Sequence, residues 1–148
     1  MKNVVLENTD SVNQLLDNLG LPNPEVMHWQ MTQSARIGLH DSKRLIKKKI
    51  RKYLVNPHNC AWIRNPVMIG NEHHVSIQAS SMHYSYPRKN QGPYKEIEMG
   101  FPSFKLSKEF RNQHKGKGPF NYLDLKEVYA EIHKALPKIR KGVKPIKY

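Results

Sequence analysis

Apolar residues recur at helical spacing in the first third of the chain. A stripe at i, i+3, i+4 and i+7 predicts a first helix that is capped by Ser11 and ends at Gly20. Asn23 and Pro24 fit the cap and the first position of a second helix. The residues predicted to fill the core from the second helix are Met27, Met31 and Ala35.

A third helix is predicted to begin after a cap at Asp41 and to end at Pro57. Its apolar side consists of Ile46, Ile50, Tyr53 and Leu54. Its opposite side and flanks are basic and consist of Arg44, Lys47, Lys48, Lys49, Arg51 and Lys52. We expect the helix to pack by its narrow apolar side and to expose the cations. Gly38 either separates this helix from the second one or lies inside a longer helix.

Alternating apolar and polar residues in the central part of the chain predict three antiparallel strands in a meander. The first is CAWIRNPVMI, in which Pro66 indicates an edge strand or a bulge. A hairpin at Gly70-Asn71 leads into a strand from about Glu72 to Ser80, with one packed face and one face in water. The third strand is KEIEMGF. The side chains predicted to face the core are Val75, Ile77 and Ala79, then Ile97, Met99 and Phe101.

After the meander, KLSKEFRNQHKGKGP is predicted to be a long loop with at most one helical turn. A capping box of Asp124 and Glu127 then starts a helix that Pro137 ends, and residues 137–148 form a basic tail. The apolar stripe of this helix is Leu125, Val128, Tyr129, Ile132 and Leu136. The order of elements predicts an α+β fold in one domain, residues 1–148, with N-terminal helices, a three-stranded antiparallel β-meander and a C-terminal packing helix.

The formal net charge is +13, and it is unevenly distributed. Residues 36–52 contain eight basic residues and one acidic residue. Such a cluster attracts polyanions, which favours nucleic acid or a nucleoprotein complex as the partner, with an acidic protein surface as the alternative. The single cysteine favours a reducing cytoplasm. No run reaches the about 18 apolar residues that a membrane span needs, so no membrane partner is expected.

The predicted nucleic-acid contacts combine cations with exposed aromatic rings. The loop YSYPRKNQGPY mixes tyrosines with basic side chains, a combination typical of surfaces that bind single strands. The predicted contact residues are Arg44, Lys47, Lys48, Arg51, Lys52, Tyr84, Tyr86, Arg88, Lys89, Arg111, Lys115, Lys117, Lys138, Arg140 and Lys141. The sequence has no RNP1 motif, GxxG clamp or zinc-finger spacing, so the charge indicates an anion without specifying which one.

A metal-independent ribonuclease or phosphodiesterase is the second functional hypothesis. Its candidate catalytic residues are His83, Tyr84 and Arg88, with His74 as a further candidate, because such a reaction needs a base, an acid and a cation on the phosphate. His74 and His83 both stand in His-x-Ser motifs, which resemble the motifs of two-histidine phosphoesterases. In that family the motifs lie far apart in sequence, whereas here the odd spacing places the two histidines on opposite faces of a regular strand.

Zinc would require four converging ligands, and the sequence offers only irregularly spaced ones. The nearest set is His58, Cys60, His73, His74 and His83, without a CxxC or HExxH motif. No metal site and no cofactor are therefore predicted.

The block from HHVSIQASSMHYSYPR through GPYKEIEMGFPS, followed by FNYLDLKEVYAEIH, resembles small accessory proteins of phages and prophages. The resemblance covers about residues 72–136. It implies a short meander with a closing helix, and a phage-encoded, non-enzymatic protein that acts in the host cytoplasm. Because some such proteins bind and block host or defence enzymes, an inhibitor that docks on an acidic protein surface is the third hypothesis.

Overall fold

The computed structural model describes residues 35–55, 63–116 and 118–148, all of which belong to one compact unit. The first predicted helix and nearly all of the second lie outside these residues, as do His58, Cys60 and Lys117. A single domain over residues 1–148 therefore stays a prediction. The described strands are β1 (Arg36–Ile37), β2 (Val67–Ile69), β3 (His73–Gln78), β4 (Glu96–Gly100) and β5 (Phe120–Asp124). The described helices are α1 (Lys43–Tyr53), α2 (Lys108–Gln113) and α3 (Leu125–Arg140).

The strands form one five-stranded mixed sheet in the order β1-β2-β3-β4-β5. β1 and β2 are parallel, and every other neighbouring pair is antiparallel. The predicted meander is present as β2-β3-β4, with Ile77 opposite Met99. The α+β class is thus confirmed, whereas the three-stranded sheet is wrong because a short strand is added on each side.

The two added strands lack the alternation that marks the meander. β1 has only two residues, and it pairs with β2 through Ile37 and Ile69. Because β1 pairs with β2, β2 is not an edge strand, and that prediction is wrong. Pro66 lies just before β2 and so does not interrupt its hydrogen bonds to β3. In β5, Phe120 and Leu123 are buried and the residues between them are exposed, since Tyr122 has a positive φ of 52°. This three-residue spacing hides the strand from a search for alternation.

Helices α1 and α3 pack against each other; α1 also contacts β1, and α3 contacts β4 and β5. The predicted apolar sides of both helices are buried, with Ile46, Ile50 and Ile132 fully inaccessible to solvent. The cap of α1 is Ser42, whose Oγ accepts from Leu45 N, rather than the predicted Asp41. Asp41 instead accepts from the amide of Gly38 at 2.8 Å, which closes a turn before the helix. Gly38 therefore separates α1 from the preceding chain.

The C-terminal part of the chain is more ordered than the sequence predicts. α3 continues through Pro137 to Arg140, so Pro137 does not end it, and the buried Ile139 packs its last turn. The segment beyond α3 is held to the domain, because Ile146 N donates to Ser103 O at 2.8 Å. The predicted start of the tail at residue 137 is therefore wrong. The predicted loop contains α2, which extends the expected single turn to six residues and buries Phe110.

For three other side chains, the prediction of burial or exposure is wrong. Gln78 and Ser80 are buried, although alternation places them on the face in water. Phe101 is half exposed rather than in the core, because the chain leaves β4 at this residue with a positive φ of 48°. Of the capping box, only Asp124 caps α3, accepting from Lys126 N at 2.8 Å, while Glu127 pairs with His114.

Candidate nucleic-acid interface

α1 carries a dense positive surface with no acidic residue in the helix. Seven of its eleven residues are Lys or Arg, and the predicted set of Arg44, Lys47, Lys48, Arg51 and Lys52 is exposed. Within the described residues, the one salt bridge made by α1 joins Lys49 to Asp41 at 2.6 Å. The five cations of this predicted set form two adjacent rows, because residues four apart lie one above the other on a helix. One row is Lys47 and Arg51, and the other is Arg44, Lys48 and Lys52.

The like charges within each row repel one another and so weaken the helix that carries them. Each pair of like charges at i, i+4 destabilises a helix by about 0.2–0.5 kcal/mol. The helix forms because Ile46, Ile50 and Tyr53 bury its apolar side. An anion placed along the two rows removes the repulsion, so the surface is electrostatically suited to a polyanion.

A groove of about 620 Å³ opens beside the row of Lys47 and Arg51. It lies where α1, the first turn of α3 and the loop of residues 91–95 meet. Its floor is apolar and consists of Leu54, Tyr94, Leu125 and Tyr129, all of them buried. Among the described residues, its rim carries the cations Lys47, Arg51, Lys95 and Lys126 and one carboxylate, that of Asp124. The groove therefore combines an apolar surface with an excess of positive charge.

Burial dominates the electrostatics of the two tyrosines in the floor. It raises the pKa of Tyr129, against which the positive charge of Arg51 acts. It likewise raises the pKa of Tyr94, whose hydroxyl donates to Lys89 O at 2.7 Å. Both phenols therefore stay neutral at physiological pH, and the fixed charge of the groove comes from its rim.

The sequence predicted the α1 side of this groove and missed the other side. Lys95 and Lys126 are not among the predicted contacts because neither belongs to a cluster of basic residues in the sequence. Two pairings bring them to the rim: Leu125 N donates to Lys95 O at 3.1 Å, and Asp124 lies opposite Glu96 in the β4–β5 register. The sequence could have placed Lys95 and Lys126 together only if β5 had been recognised as the partner of β4.

The tyrosines of the 84–89 loop form a second exposed cluster. The rings of Tyr84 and Tyr122 meet edge to face at 5.9 Å, and the Arg88 guanidinium lies 4.8 Å from the centre of the Tyr84 ring. Tyr86 and Lys89 are also exposed. However, Glu98 accepts from Tyr84 N at 3.2 Å, so a carboxylate lies within this cluster. This carboxylate makes the cluster a weaker phosphate site than α1.

His83 lies beside this cluster. Its Nδ1 forms a hydrogen bond of 2.6 Å with Ser80 Oγ, which also accepts from Met82 N. Burial lowers the pKa of His83, with the charges of Arg64 and Arg88 acting in the same direction and Glu98 opposing them. The structure thus brings together three of the candidate catalytic residues: His83, Tyr84 and Arg88.

His74 is not part of that group. It lies near the start of β3, while the His83 loop begins beyond the end of the strand at Gln78. At about 3.3 Å per residue, the four residues from His74 to Gln78 already span about 13 Å. A single phosphodiester cannot reach both histidines, so the arrangement of residues does not favour an acid–base pair made from them.

The other predicted contacts are spread over the C-terminal half. Arg111 Nε donates to Leu106 O at 3.1 Å and Arg140 Nη1 to Leu39 O at 2.6 Å, so backbone contacts occupy both guanidinium groups in part. Lys115, Lys138 and Lys141 are exposed. No described contact joins these three residues to the α1 surface.

Among the described residues, no three His, Cys, Asp or Glu side chains converge in a way that could hold a metal ion. His73, which the sequence groups with the metal candidates, instead contacts Ser103 Oγ and Val143 O. In the same part of the chain, no helix is both long and apolar enough to cross a bilayer. Location in the cytoplasm stays a prediction.

The chain was compared with protein-family models, with curated proteins and with solved structures, and none of them matches. The resemblance to phage accessory proteins and the phage origin therefore stay predictions, and the function must be inferred from the surface itself.

Proposed function

We propose that the protein binds nucleic acid through the exposed cations of α1. One observation carries the proposal: five Lys and Arg side chains lie in two adjacent rows on a helix that contains no acidic residue. Phosphate backbones present negative charge at regular short intervals, which matches rows of cations better than a single anion does. The partner is nucleic acid, free or within a nucleoprotein complex.

The distribution of charge on the sheet supports the choice of the helical side. Ile97 and Met99 of β4 are fully buried, whereas Glu96 and Glu98 alternate with them and so face the other side of the sheet. A polyanion on that other side would meet carboxylates. On the helical side it meets α1, where Asp41 is already bound to Lys49.

The test measures the salt dependence of binding by a variant with Lys48→Gln, Arg51→Gln and Lys52→Gln. We expect weaker binding of labelled RNA and DNA, and a slope of log affinity against log salt that is reduced by about 2–3 units for duplex. The matched control replaces three exposed lysines elsewhere, Lys138, Lys141 and Lys144, by Gln and lowers the net charge equally. The control should retain most of the slope.

Three results would contradict the proposal or relocate the surface. If the parent protein binds neither RNA nor DNA at low salt, nucleic acid is excluded as the partner and an acidic protein is favoured. A pull-down after nuclease treatment would then identify that protein as a stoichiometric complex. An unchanged slope in the α1 variant, with a reduced slope in the control, moves the interface to the C-terminal segment. Cleavage of the labelled strands that His83→Ala abolishes would instead support the hydrolase hypothesis.

A further inference from the structure

The groove beside α1 differs from the rest of the basic surface because its floor is apolar. Leu54, Leu125, Tyr94 and Tyr129 form that floor. We infer that the groove seats one unpaired base of a single strand while the phosphates of that strand continue along α1. This inference rests on the proposed function and specifies the class of nucleic acid.

The shape and the surface of the groove suit a nucleobase. Its volume of about 620 Å³ lies within the range of roughly 300–1,000 Å³ that is usual for sites of small molecules. A base is flat and mostly apolar on its faces, so it gains by leaving water for the surface of Leu54 and Leu125. A base within a duplex is already stacked and paired, and it cannot enter a groove without leaving the helix.

The charge of the rim selects an anionic partner. Lys47 and Arg51 border the groove on the α1 side, and Lys95 and Lys126 border it from the loop of residues 91–95 and from α3. Asp124, the one carboxylate that the described residues contribute to the rim, already accepts from Lys126 N as the cap of α3. An apolar ring with an attached phosphate matches this combination, whereas an uncharged apolar ligand would leave the cations without a role.

The continuation of charge beyond the groove favours a strand over a free nucleotide. Lys47 and Arg51 belong both to the rim and to the first row of cations on α1. The second row, Arg44, Lys48 and Lys52, lies one step further round the helix and is not part of the groove lining. A free nucleotide would leave this row unused, whereas a strand whose base enters the groove places its neighbouring phosphates on it.

The experiment compares two labelled single strands that differ at their central positions only. One carries ordinary bases, and the other carries abasic sites, so that the phosphates are the same in both. We expect the parent protein to bind the strand with bases about tenfold more tightly. Val55 is half exposed in the groove lining, and Val55→Glu should bring this ratio close to one, because an entering base would strip water from the new carboxylate. The matched control is Val143→Glu, at a similarly exposed valine outside the groove, which should keep the parent's ratio.

The possible outcomes separate the two proposals. Failure to bind either strand or a duplex of the same sequence at low salt overturns the proposed function, whereas binding of the duplex alone overturns only the inference about the groove. Equal binding of the two strands by the parent overturns only the inference about the groove, as does an unchanged ratio in Val55→Glu. A nucleoside monophosphate that displaces the strand at concentrations matching the strand's own Kd also overturns the inference, because the site would then be one for free nucleotides.

Discussion

The side-chain amide of Gln78 pairs with both backbone polar groups of Arg64, as a neighbouring strand would. Arg64 N donates to Gln78 Oε1 at 2.8 Å, and Gln78 Nε2 donates to Arg64 O at 2.9 Å. Both residues are buried. The pairing attaches the segment before β2 to β3, and it positions a guanidinium that donates to the carbonyl oxygens of Ala79 and Leu54.

Replacing Gln78 by Leu should therefore destabilise the domain by at least about 1–3 kcal/mol, because it leaves the buried amide and carbonyl of Arg64 without these partners. Gln78→Glu keeps an acceptor for Arg64 N but puts a carboxylate oxygen against Arg64 O, so it should also destabilise the domain. Urea unfolding of the three proteins measures the difference. A loss of less than about 0.5 kcal/mol in Gln78→Leu would show that the pairing contributes little.

This pairing also marks the limit of what the sequence could predict. Alternation along β3 correctly placed Val75 and Ile77 in the core, because one face of a strand packs on the helices. It placed Gln78 in water, since nothing in a period of two shows that the side-chain amide of Gln78 pairs with the backbone of Arg64. A buried glutamine is recognisable only once its partner is known.

In the candidate site, too, local periodicity predicts some residues, whereas others come together only through contacts between distant segments. The two rows of cations on α1 follow directly from helical spacing, and the structure places them on the exposed side as predicted. The groove beside them combines α1 with Lys95 and Lys126, two residues that lie far apart from it in sequence. Its formation depends on the pairing of β4 with β5, and Tyr122 breaks the alternation that would have revealed β5.

The imidazole of His73 joins the C-terminal segment to the sheet. Val143 O can only accept, so His73 Nε2–H donates to it at 2.9 Å. In the neutral imidazole Nδ1 then accepts from the Ser103 hydroxyl, whose Oγ also accepts from His74 N. We expect His73→Leu to cost about 1–3 kcal/mol and to speed hydrogen exchange at the amide of Ile146, which is bonded to Ser103 O. His74→Leu, at a half-exposed side chain, is the control. Equal exchange of Ile146 in the parent and His73→Leu would contradict this role.

The stability of the domain should depend on the protonation of His83. Because burial lowers its pKa below 6.5 in the folded protein, the unfolded chain binds the proton more readily. The contribution of the neutral imidazole is therefore complete above about pH 6.5 and is lost as the pH falls toward the lowered pKa. His83→Asn offers Ser80 Oγ both a donor and an acceptor and does not titrate, so its stability should fall less over this interval. Urea midpoints at several pH values test this, and parallel curves for the two proteins would refute it.

The apolar and basic sides of α1 should respond to substitution in opposite ways. Ile50 is fully buried in the apolar core, so Ile50→Lys places an ammonium group among apolar side chains. We expect a loss on the order of 5 kcal/mol, and nucleic-acid binding should disappear only because the domain unfolds. Lys48→Met, on the exposed side, should change stability by no more than about 0.5 kcal/mol and should weaken binding.

The pH dependence of the Ile50→Lys variant separates charge from size. Burial lowers the pKa of a lysine, so the folded state binds fewer protons than the unfolded state, and the variant should gain stability as the pH rises from 7 toward 10. Ile50→Met changes the shape of the side chain without adding a charge, so it should cost less than about 1.5 kcal/mol and show no such gain. Thermal unfolding followed by circular dichroism at pH 7 and pH 10 measures both effects. A stable Ile50→Lys variant at pH 7 would mean that this side of α1 is open to water, and the orientation of both cation rows would then have to be reassigned.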